Sequence, residues 1–252
     1  MKIVLIGAGN VATHLGSALK EKGFSIVQVY SRTMDSAMRL GEKLAAKSTD
    51  NLAEIDSDAD IYLFSVKDSI LEEVITQLPK NTGLWIHTSG SIPIDVFAGQ
   101  TARYGVLYPL QTFSKNREIS FNNIPLFIET HLSEDEKILK EIATQLSTTV
   151  IPLSSEKRNY LHLAAVFACN FTNHLYHIAS QILEGNDLSY ELLLPLIEET
   201  AKKVKTLHPE MAQTGPAARH DKNVIDRHLH LLANDSNKEE VYRILSKSIW
   251  DC

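Results

Sequence analysis

The sequence has very little cysteine and no long apolar run. Cys169 and Cys252 are the two cysteines among its 252 residues, too few for the disulfide framework of a small secreted protein. No stretch approaches the roughly 20 consecutive apolar residues that span a bilayer. The N-terminus lacks the apolar core and cleavage site of a signal peptide. These absences predict a protein of the reducing cytoplasm, without a membrane as partner.

Positive charge is in deficit. The chain has 25 Lys and Arg against 31 Asp and Glu, for a net charge of -6 and a pI near 5.9. This balance argues against nucleic acid or an anionic membrane as the main partner. His228 and His230 have no other metal ligands nearby in sequence, and no Cys/His cluster indicates zinc, so no metal site is predicted. A small-molecule substrate remains the expected partner.

The most informative stretch is KIVLIGAGNVA, residues 2–12. A β-branched run leads directly into Gly7-x-Gly9-x-x-Ala12, and an amphipathic helix follows. Gly7 permits a tight strand-to-helix turn, Gly9 lets a pyrophosphate approach the backbone, and Ala12 lets the helix lie close to the sheet. The helix N-terminus then faces the phosphates. A plain glycine-rich turn is the alternative, but a strand before the glycines and a helix after them favour a dinucleotide site.

The end of the second predicted strand, 26–30, bears on which dinucleotide binds. NAD sites usually place Asp or Glu there to hold the ribose 2′-hydroxyl. This chain has Ser31 and Arg32 instead. A hydroxyl and a guanidinium can bind a 2′-phosphate by charge-assisted hydrogen bonds, which a carboxylate would repel. The predicted cofactor is NADP(H). The alternative is that the Ser-Arg pair lies on the surface and has no role in binding.

Strands and helices alternate along the first part of the chain, which predicts a doubly wound, mostly parallel Rossmann sheet in an α/β domain at residues 1–153. Residues 154–252 show helical periodicity only and predict an all-helical substrate and dimerisation domain. Asp68 and Ser133 are expected to cap helices. Further strands are predicted at 61–66, 84–87, 106–108, 125–129 and 148–151, and helices at 11–22, 36–47, 133–146, 156–183, 189–207, 222–233 and 238–248.

Ligands of such sheets bind outside the carboxyl ends of the strands. Polar clusters and glycines fall at these ends in the sequence, so we expect them to converge on the cofactor. The predicted cofactor-binding residues are Gly7, Gly9, Asn10, Val11, Ser31, Arg32, Ser65, Val66, Lys67, Thr88 and Ser89.

The chain also resembles known families. Its first part is similar to the NADP-binding domains of pyrroline-5-carboxylate reductases and deazaflavin-dependent NADP reductases. The whole chain resembles a bacterial two-domain family of NADP oxidoreductases whose helical C-terminal domain has no known function. The resemblance implies NADP-dependent hydride transfer, and a homodimer as in those reductases. The motifs that carry it are KIVLIGAGNVATHL (2–15), Ser31-Arg32, IYLFSVKD (61–68), HTSGS (87–91), YPLQTF (108–113), HLAAVFACNF (162–171) and TGPAARHD (214–221).

One departure limits what the resemblance implies about chemistry. Related β-hydroxyacid dehydrogenases and ketopantoate reductases carry a catalytic Lys, with Asn four residues later, on the first interdomain helix. Here Lys157 is followed four residues later by Leu161, so that proton relay is not transferred. A non-catalytic NADP(H)-binding sensor or scaffold therefore stays open beside an oxidoreductase acting on a small polar carbonyl or imine in an interdomain cleft. A methyltransferase is disfavoured, because it would need an acidic residue at the position of Ser31.

Hydride transfer needs orientation, a dry pocket and often a proton donor. His162 and Asn170, about two helical turns apart, are the first catalytic candidates, with a satisfied polar interface as the alternative. His87 is the third, although a loop-stabilising hydrogen bond fits it slightly better.

Arg219 could clamp a substrate carboxylate or pair with Asp221. Cys169 lies among apolar residues and is expected in the core. The predicted substrate-binding residues are Pro109, Gln111, Asn173, Gly215 and Arg219.

Overall fold

The computed structural model describes residues 1–251 and contains one eight-stranded sheet. The strands are β1 (Lys2–Ile6), β2 (Ser25–Tyr30), β3 (Lys47–Thr49), β4 (Ile61–Phe64), β5 (Leu84–His87), β6 (Tyr104–Pro109), β7 (Leu126–Thr130) and β8 (Val150–Pro152). Their order is β3-β2-β1-β4-β5-β6-β7-β8, and every neighbouring pair is parallel except β6 and β7. The predicted fold class, a mostly parallel Rossmann sheet followed by a helical region, is confirmed.

Both faces of the sheet are buried, as expected of a doubly wound fold. Successive side chains of a strand point to opposite faces. In β1, Ile3 and Leu5 pack into one apolar cluster, while Val4 and Ile6 pack into the other. The helices are α1 (Asn10–Glu21), α2 (Met34–Leu44), α3 (Asp68–Gln77), α4 (Ser133–Leu146), α5 (Ser155–Ala165), α6 (Thr172–Glu184), α7 (Leu194–Lys203), α8 (Pro209–Ala212), α9 (Lys222–Leu231) and α10 (Ser236–Trp250).

Two predicted helix caps are wrong. The α3 helix begins at Asp68 itself, after Lys67, and the Asp68 carboxylate instead accepts a hydrogen bond from the Ser91 hydroxyl. Likewise α4 begins at Ser133, after Leu132, without a side-chain cap. In both places the helix starts one residue earlier than a cap at that position requires, so the side chain is already in the first turn. The short strand β3 was not predicted, because its three residues are polar and it depends on pairing with β2.

The long helix predicted at 156–183 is interrupted. Between α5 and α6, the segment Val166–Phe171 is π-helical; we call it the π segment. A single wider turn leaves the apolar spacing nearly unchanged, so periodicity does not reveal it. Such turns are frequent at functional sites. The prediction that Cys169 lies in the core is also wrong, because this residue of the π segment is exposed.

Contacts divide the chain into two compact units, residues 1–170 and 171–252. The first unit contains the sheet, α1 to α5 and most of the π segment. The domain boundary that the sequence predicts at residue 153 remains a prediction. Among residues 171–251, only Ala217 is buried. No helix within residues 1–251 is long and apolar enough to cross a membrane.

Candidate active site

A cleft of about 750 Å³ lies at the carboxyl ends of β2, β1, β4 and β5 in the first unit. The chain places polar or glycine residues at each of these four ends, and the parallel sheet brings them to one edge. All eleven residues predicted to bind the cofactor line this cleft. They are Gly7, Gly9, Asn10, Val11, Ser31, Arg32, Ser65, Val66, Lys67, Thr88 and Ser89. Sequence reasoning missed further lining residues, among them Tyr30, Ser36, Leu52, Glu73 and Gln77.

Gly7 and Gly9 meet different constraints. Gly7 has φ of 118°, and a Cβ there would lie 2.4 Å from the carbonyl oxygen of Ser65. The turn itself therefore requires glycine at this position. Gly9 has an ordinary φ of -79°, and its Cβ would come no closer than 3.8 Å to that oxygen. Nothing within residues 1–251 requires glycine at position 9, so its small size leaves room for a ligand.

The N-terminus of α1 opens into the same cleft and is available to an anion. Gly9 provides no side-chain cap, and the first turn contains no acidic residue. Its backbone N–H groups and the positive end of the helix dipole therefore favour a phosphate. The residues at this end of the sheet fit a dinucleotide. The Asn10 side chain is already engaged, because its amide donates a 2.8 Å hydrogen bond to the Phe113 carbonyl.

Cationic side chains line the cleft beside α1. Arg32 and Lys67 form no ion pair with any acidic side chain in the described part of the chain. Burial raises the pKa of Tyr30, the negative charges of Glu73 and Asp50 add to the increase, and Arg32 opposes it. Arg32 thus lies close enough to act electrostatically on Tyr30 and remains free to bind a phosphate.

A second group of polar side chains lies one strand beyond the cleft. His162 of α5 packs against Gly90, which follows the cleft residue Ser89: a Cβ at position 90 would lie 2.6 Å from the imidazole Nδ1. The same Nδ1 is 3.0 Å from the Tyr108 hydroxyl at the end of β6. The two rings meet edge to face, with centroids 5.9 Å apart. No residue of 1–251 hydrogen-bonds the other ring nitrogen, Nε2.

Tyr108 is buried with Phe127 on the face of the sheet that contacts α5. Burial raises the pKa of Tyr108; the positive charge of Arg158 lowers it by a smaller amount, and Cys169 adds to the increase. The phenol therefore keeps its proton at neutral pH. A neutral hydroxyl can either donate to Nδ1 of His162 or accept from it, and in both cases it fixes the orientation of the imidazole.

Sequence reasoning missed Arg158, which is 1% exposed. Its Nη1 is 2.5 Å from the Glu129 carboxylate at the end of β7, and its Nη2 donates a 2.6 Å hydrogen bond to the Ile92 carbonyl. Ser155 donates to the same carboxylate from its hydroxyl and its backbone N–H. An arginine four residues before His162, on a helix that packs against the sheet, was the available signal.

His87 is fully buried at the end of β5, where its Nδ1 accepts a 3.2 Å hydrogen bond from the Ser89 N–H. Burial, and to a lesser degree the charge of Arg158, lowers its pKa to about 3, while the Pro93 backbone raises it slightly. The imidazole is therefore neutral at physiological pH, and the observed contact holds the loop that follows β5.

The other predicted site residues are distributed over both units. Asn170, in the π segment, and Gln111 are exposed, whereas Pro109 is buried at the end of β6. Asn173, Gly215 and Arg219 belong to the second unit. Arg219 is exposed and pairs with no described side chain. Asp221 instead accepts a hydrogen bond from Val224 N–H and caps α9, so the alternative Arg219–Asp221 contact is not formed.

Comparisons with known proteins cover nearly the whole chain. The family "NADP oxidoreductase coenzyme F420-dependent" matches residues 2–98, and "Domain of unknown function (DUF2520)" matches residues 124–249. BF3122 from Bacteroides fragilis, provisionally described as an NADP oxidoreductase, is 50% identical, with a TM-score of 0.94 over 100% of this chain and 98% of that chain. No curated protein matches the chain.

Two more distant structures share the fold. The 1-pyrroline-5-carboxylate reductase from Streptococcus pyogenes is 13% identical, with a TM-score of 0.64 over 100% of this chain and 99% of that chain. The imine reductase from Myxococcus stipitatus, solved with NADP+, is 16% identical, with a TM-score of 0.67 over 100% of this chain and 92% of that chain. The family matches and the identity with BF3122 show that this chain belongs to the NADP oxidoreductases that combine a coenzyme F420-dependent-type domain with DUF2520.

Proposed function

We propose that this NADP-dependent oxidoreductase binds NADP(H) in the cleft of the first unit and transfers hydride between the cofactor and a small polar carbonyl or imine compound. The observation that supports the proposal is a chain of neighbouring residues that leads from the cleft to the Tyr108–His162 pair. Ser89 lines the cleft, Gly90 follows it, and His162 packs against Gly90. Neighbouring strands lie about 4.8 Å apart. A reacting group bound at the β5 end of the cleft is therefore about one strand away from Tyr108 in β6, the partner of His162.

The orientation of the cofactor follows from charge. Arg32, at the β2 end of the cleft, is the available partner for a 2′-phosphate, and the free N-terminus of α1 is suited to the pyrophosphate. This leaves the β5 end, at Thr88 and Ser89, for the nicotinamide. NADPH supplies the hydride when bound. The chain orients it and provides the proton.

His162 is the proposed proton donor and Tyr108 its orienting partner. In the protonated imidazole, Nδ1–H donates to the Tyr108 oxygen and Nε2–H faces the substrate. As the hydride reaches the carbonyl or imine carbon, the Nε2 proton passes to the substrate oxygen or nitrogen. The neutral imidazole then regains a proton from water, which a half-buried ring can reach. In this account His87 shapes the loop and is not a proton donor.

A substrate screen that follows NADPH absorbance tests the proposal. We expect turnover with a member of a panel of 2-keto acids, aldehydes and cyclic imines such as 2-methyl-1-pyrroline. His162→Ala should lower kcat by about 10²-fold or more, as expected for a lost general acid, and Tyr108→Phe by about tenfold. Asn170→Ala tests the remaining catalytic candidate in the same assay. Tight NADPH binding without turnover across the panel would contradict the proposal.

We also propose that the protein is a homodimer that associates through its helical second unit. The described helices of that unit have almost no buried side chains, while large apolar residues remain exposed: Leu196 is 62%, Met211 75% and Leu231 80% exposed. Exposed apolar side chains in this number are typical of an interface. The family resemblance favours a second copy as the partner. Whether Asn173, Gly215 and Arg219 contact substrate remains a prediction.

A further inference from the structure

The buried ion pair between Arg158 and Glu129 joins three elements of the first unit. Arg158 lies in the first turn of α5, Glu129 is the last residue but one of β7, and the Ile92 carbonyl belongs to the loop after β5. Ser155 completes the connection: its hydroxyl donates to Glu129 and accepts a 2.9 Å hydrogen bond from Ile94 N–H. The start of α5 is thus fixed to a neighbouring strand and to the loop that lines the cleft.

His162 lies about one helical turn beyond Arg158. Residues four apart project from the same face of an α-helix, so both side chains point to the sheet. His162 has little room to move at Nδ1, because this nitrogen is 3.0 Å from the Tyr108 hydroxyl and the same edge of the ring fills the space beside Gly90. A small displacement of α5 would therefore break the hydrogen bond or press the ring into the loop.

The pair is poorly explained by stability alone. Buried ion pairs contribute little to stability relative to well-packed apolar residues, because both charges lose their hydration. This one also leaves a polar atom unsatisfied: Arg158 Nε is buried without a hydrogen-bond partner within residues 1–251. The guanidinium instead provides defined geometry, because its two terminal nitrogens donate to Glu129, to the Ile92 carbonyl and to Ser155 at once.

We propose that Arg158 is the positioning residue of the site: through Glu129 and the Ile92 carbonyl it fixes the start of α5 and so holds His162 against Tyr108. The proposal rests on the proposed function for the role of His162. Arg158 reaches neither the reacting atoms nor the cleft in this account. It acts through the helix.

The test uses Arg158→Gln and Arg158→Lys in the full chain, with the imidazole nitrogens followed by ¹⁵N NMR of histidine-labelled protein. The His162 signals are assigned with His162→Ala, and Tyr108→Phe gives the signature of the lost hydrogen bond. We expect Arg158→Gln to show that signature and Arg158→Lys, which keeps a cation beside Glu129, to stay close to wild type. If Arg158→Gln does not fold, the apolar pair Arg158→Met/Glu129→Leu replaces it with the same expectation.

The matched control is the ion pair between Arg103 and Asp135 in the same unit. Arg103 immediately precedes β6, at the end of that strand away from Tyr108. Its side chain is 36% exposed and hydrogen-bonds the fully buried carboxylate of Asp135 in α4. Arg103→Gln should lower the Tm as Arg158→Gln does but leave the His162 signals unchanged. Unchanged His162 signals in Arg158→Gln, or equal changes in Arg103→Gln, would overturn the proposal.

Turnover provides the second readout. On a panel substrate that the wild type reduces, Arg158→Gln should lose at least tenfold in kcat, with KM and the Kd for NADPH within about threefold, and Arg158→Lys should recover most of the loss. A fall in NADPH affinity as large as the fall in kcat would overturn the positioning role. Absence of turnover in the wild type would contradict the proposed function. The NMR measurement needs no substrate, so it would still test whether Arg158 positions His162.

Discussion

Gly7 and Gly9 show how two residues of one motif serve the fold and the ligand separately. The positive φ and the Ser65 carbonyl make Gly7 a requirement of the backbone. Gly9 is free of both constraints. The sequence motif treats the two alike, and the structure distinguishes them.

Replacing each glycine with alanine should therefore affect a different property: stability at Gly7 and cofactor binding at Gly9. Gly7→Ala should lower the free energy of unfolding by about 2–4 kcal/mol, because it combines backbone strain with a close contact. Gly9→Ala should change stability by less than about 0.5 kcal/mol, as at an unstrained exposed position, yet weaken NADPH binding at least tenfold. Urea unfolding and calorimetric titration measure the two quantities. Equal stability losses in both variants would contradict the distinction.

His87 should make the fold sensitive to pH. Its pKa is about 3 in the folded chain, below its ordinary value of 6.5, so protons bind preferentially to the unfolded chain. The stabilisation is fully present above about pH 6.5 and is lost as the pH falls toward 3, by at most about 1.4 kcal/mol per pH unit. His87→Asn keeps an acceptor for Ser89 N–H but removes the titration. Unfolding free energies measured from pH 7 to 5 should converge toward the acid side, and parallel profiles for the two proteins would contradict the assignment.

At the scale of elements, α5 approaches the loop after β5 through Gly90. The His162 ring occupies the space that a Cβ at position 90 would need. We expect Gly90→Ala to displace the ring by about 1 Å and lower kcat by tenfold to 10²-fold, since misplacement on that scale is costly. The Kd for NADPH should stay within twofold. Gly185→Ala, at a glycine with φ of -67°, is the control and should keep wild-type kcat. Full activity in Gly90→Ala would refute the close packing.

The elements that sequence predicted well are those with a local signal. The strand before Gly7, the helix after Gly9 and the polar strand ends each carry their own pattern, and the parallel sheet then brings them to one cleft. Tyr108 carries no such signal, and Arg158 has only its spacing of four residues from His162. Their roles arise from contacts 54 residues apart, Tyr108 with His162, and 29 apart, Arg158 with Glu129. The π segment also has no signal in the sequence, because one widened turn hardly alters the spacing of the apolar residues.

At the scale of the whole molecule, the second unit leaves its apolar side chains uncovered. A homodimer should give a light-scattering mass of about twice 28.2 kDa at micromolar concentration. Leu231→Glu/Met211→Glu should reduce that mass, because both side chains are at least 75% exposed in the second unit. Met38→Glu, at a 46% exposed position of α2, is the control and should remain dimeric. A wild-type monomer would refute the dimer.

Binding of NADP(H) in the cleft of the first unit, with Arg32 on the 2′-phosphate, can be tested by one calorimetric comparison. Wild-type protein should bind NADPH at least tenfold more tightly than NADH, because the guanidinium–phosphate contact is charge-assisted. Arg32→Ala should remove this preference while leaving the Kd for NADH within about twofold, and Lys22→Ala, outside the cleft, should keep it. Equal affinity of the wild type for the two cofactors, or a preference that survives in Arg32→Ala, would contradict the account.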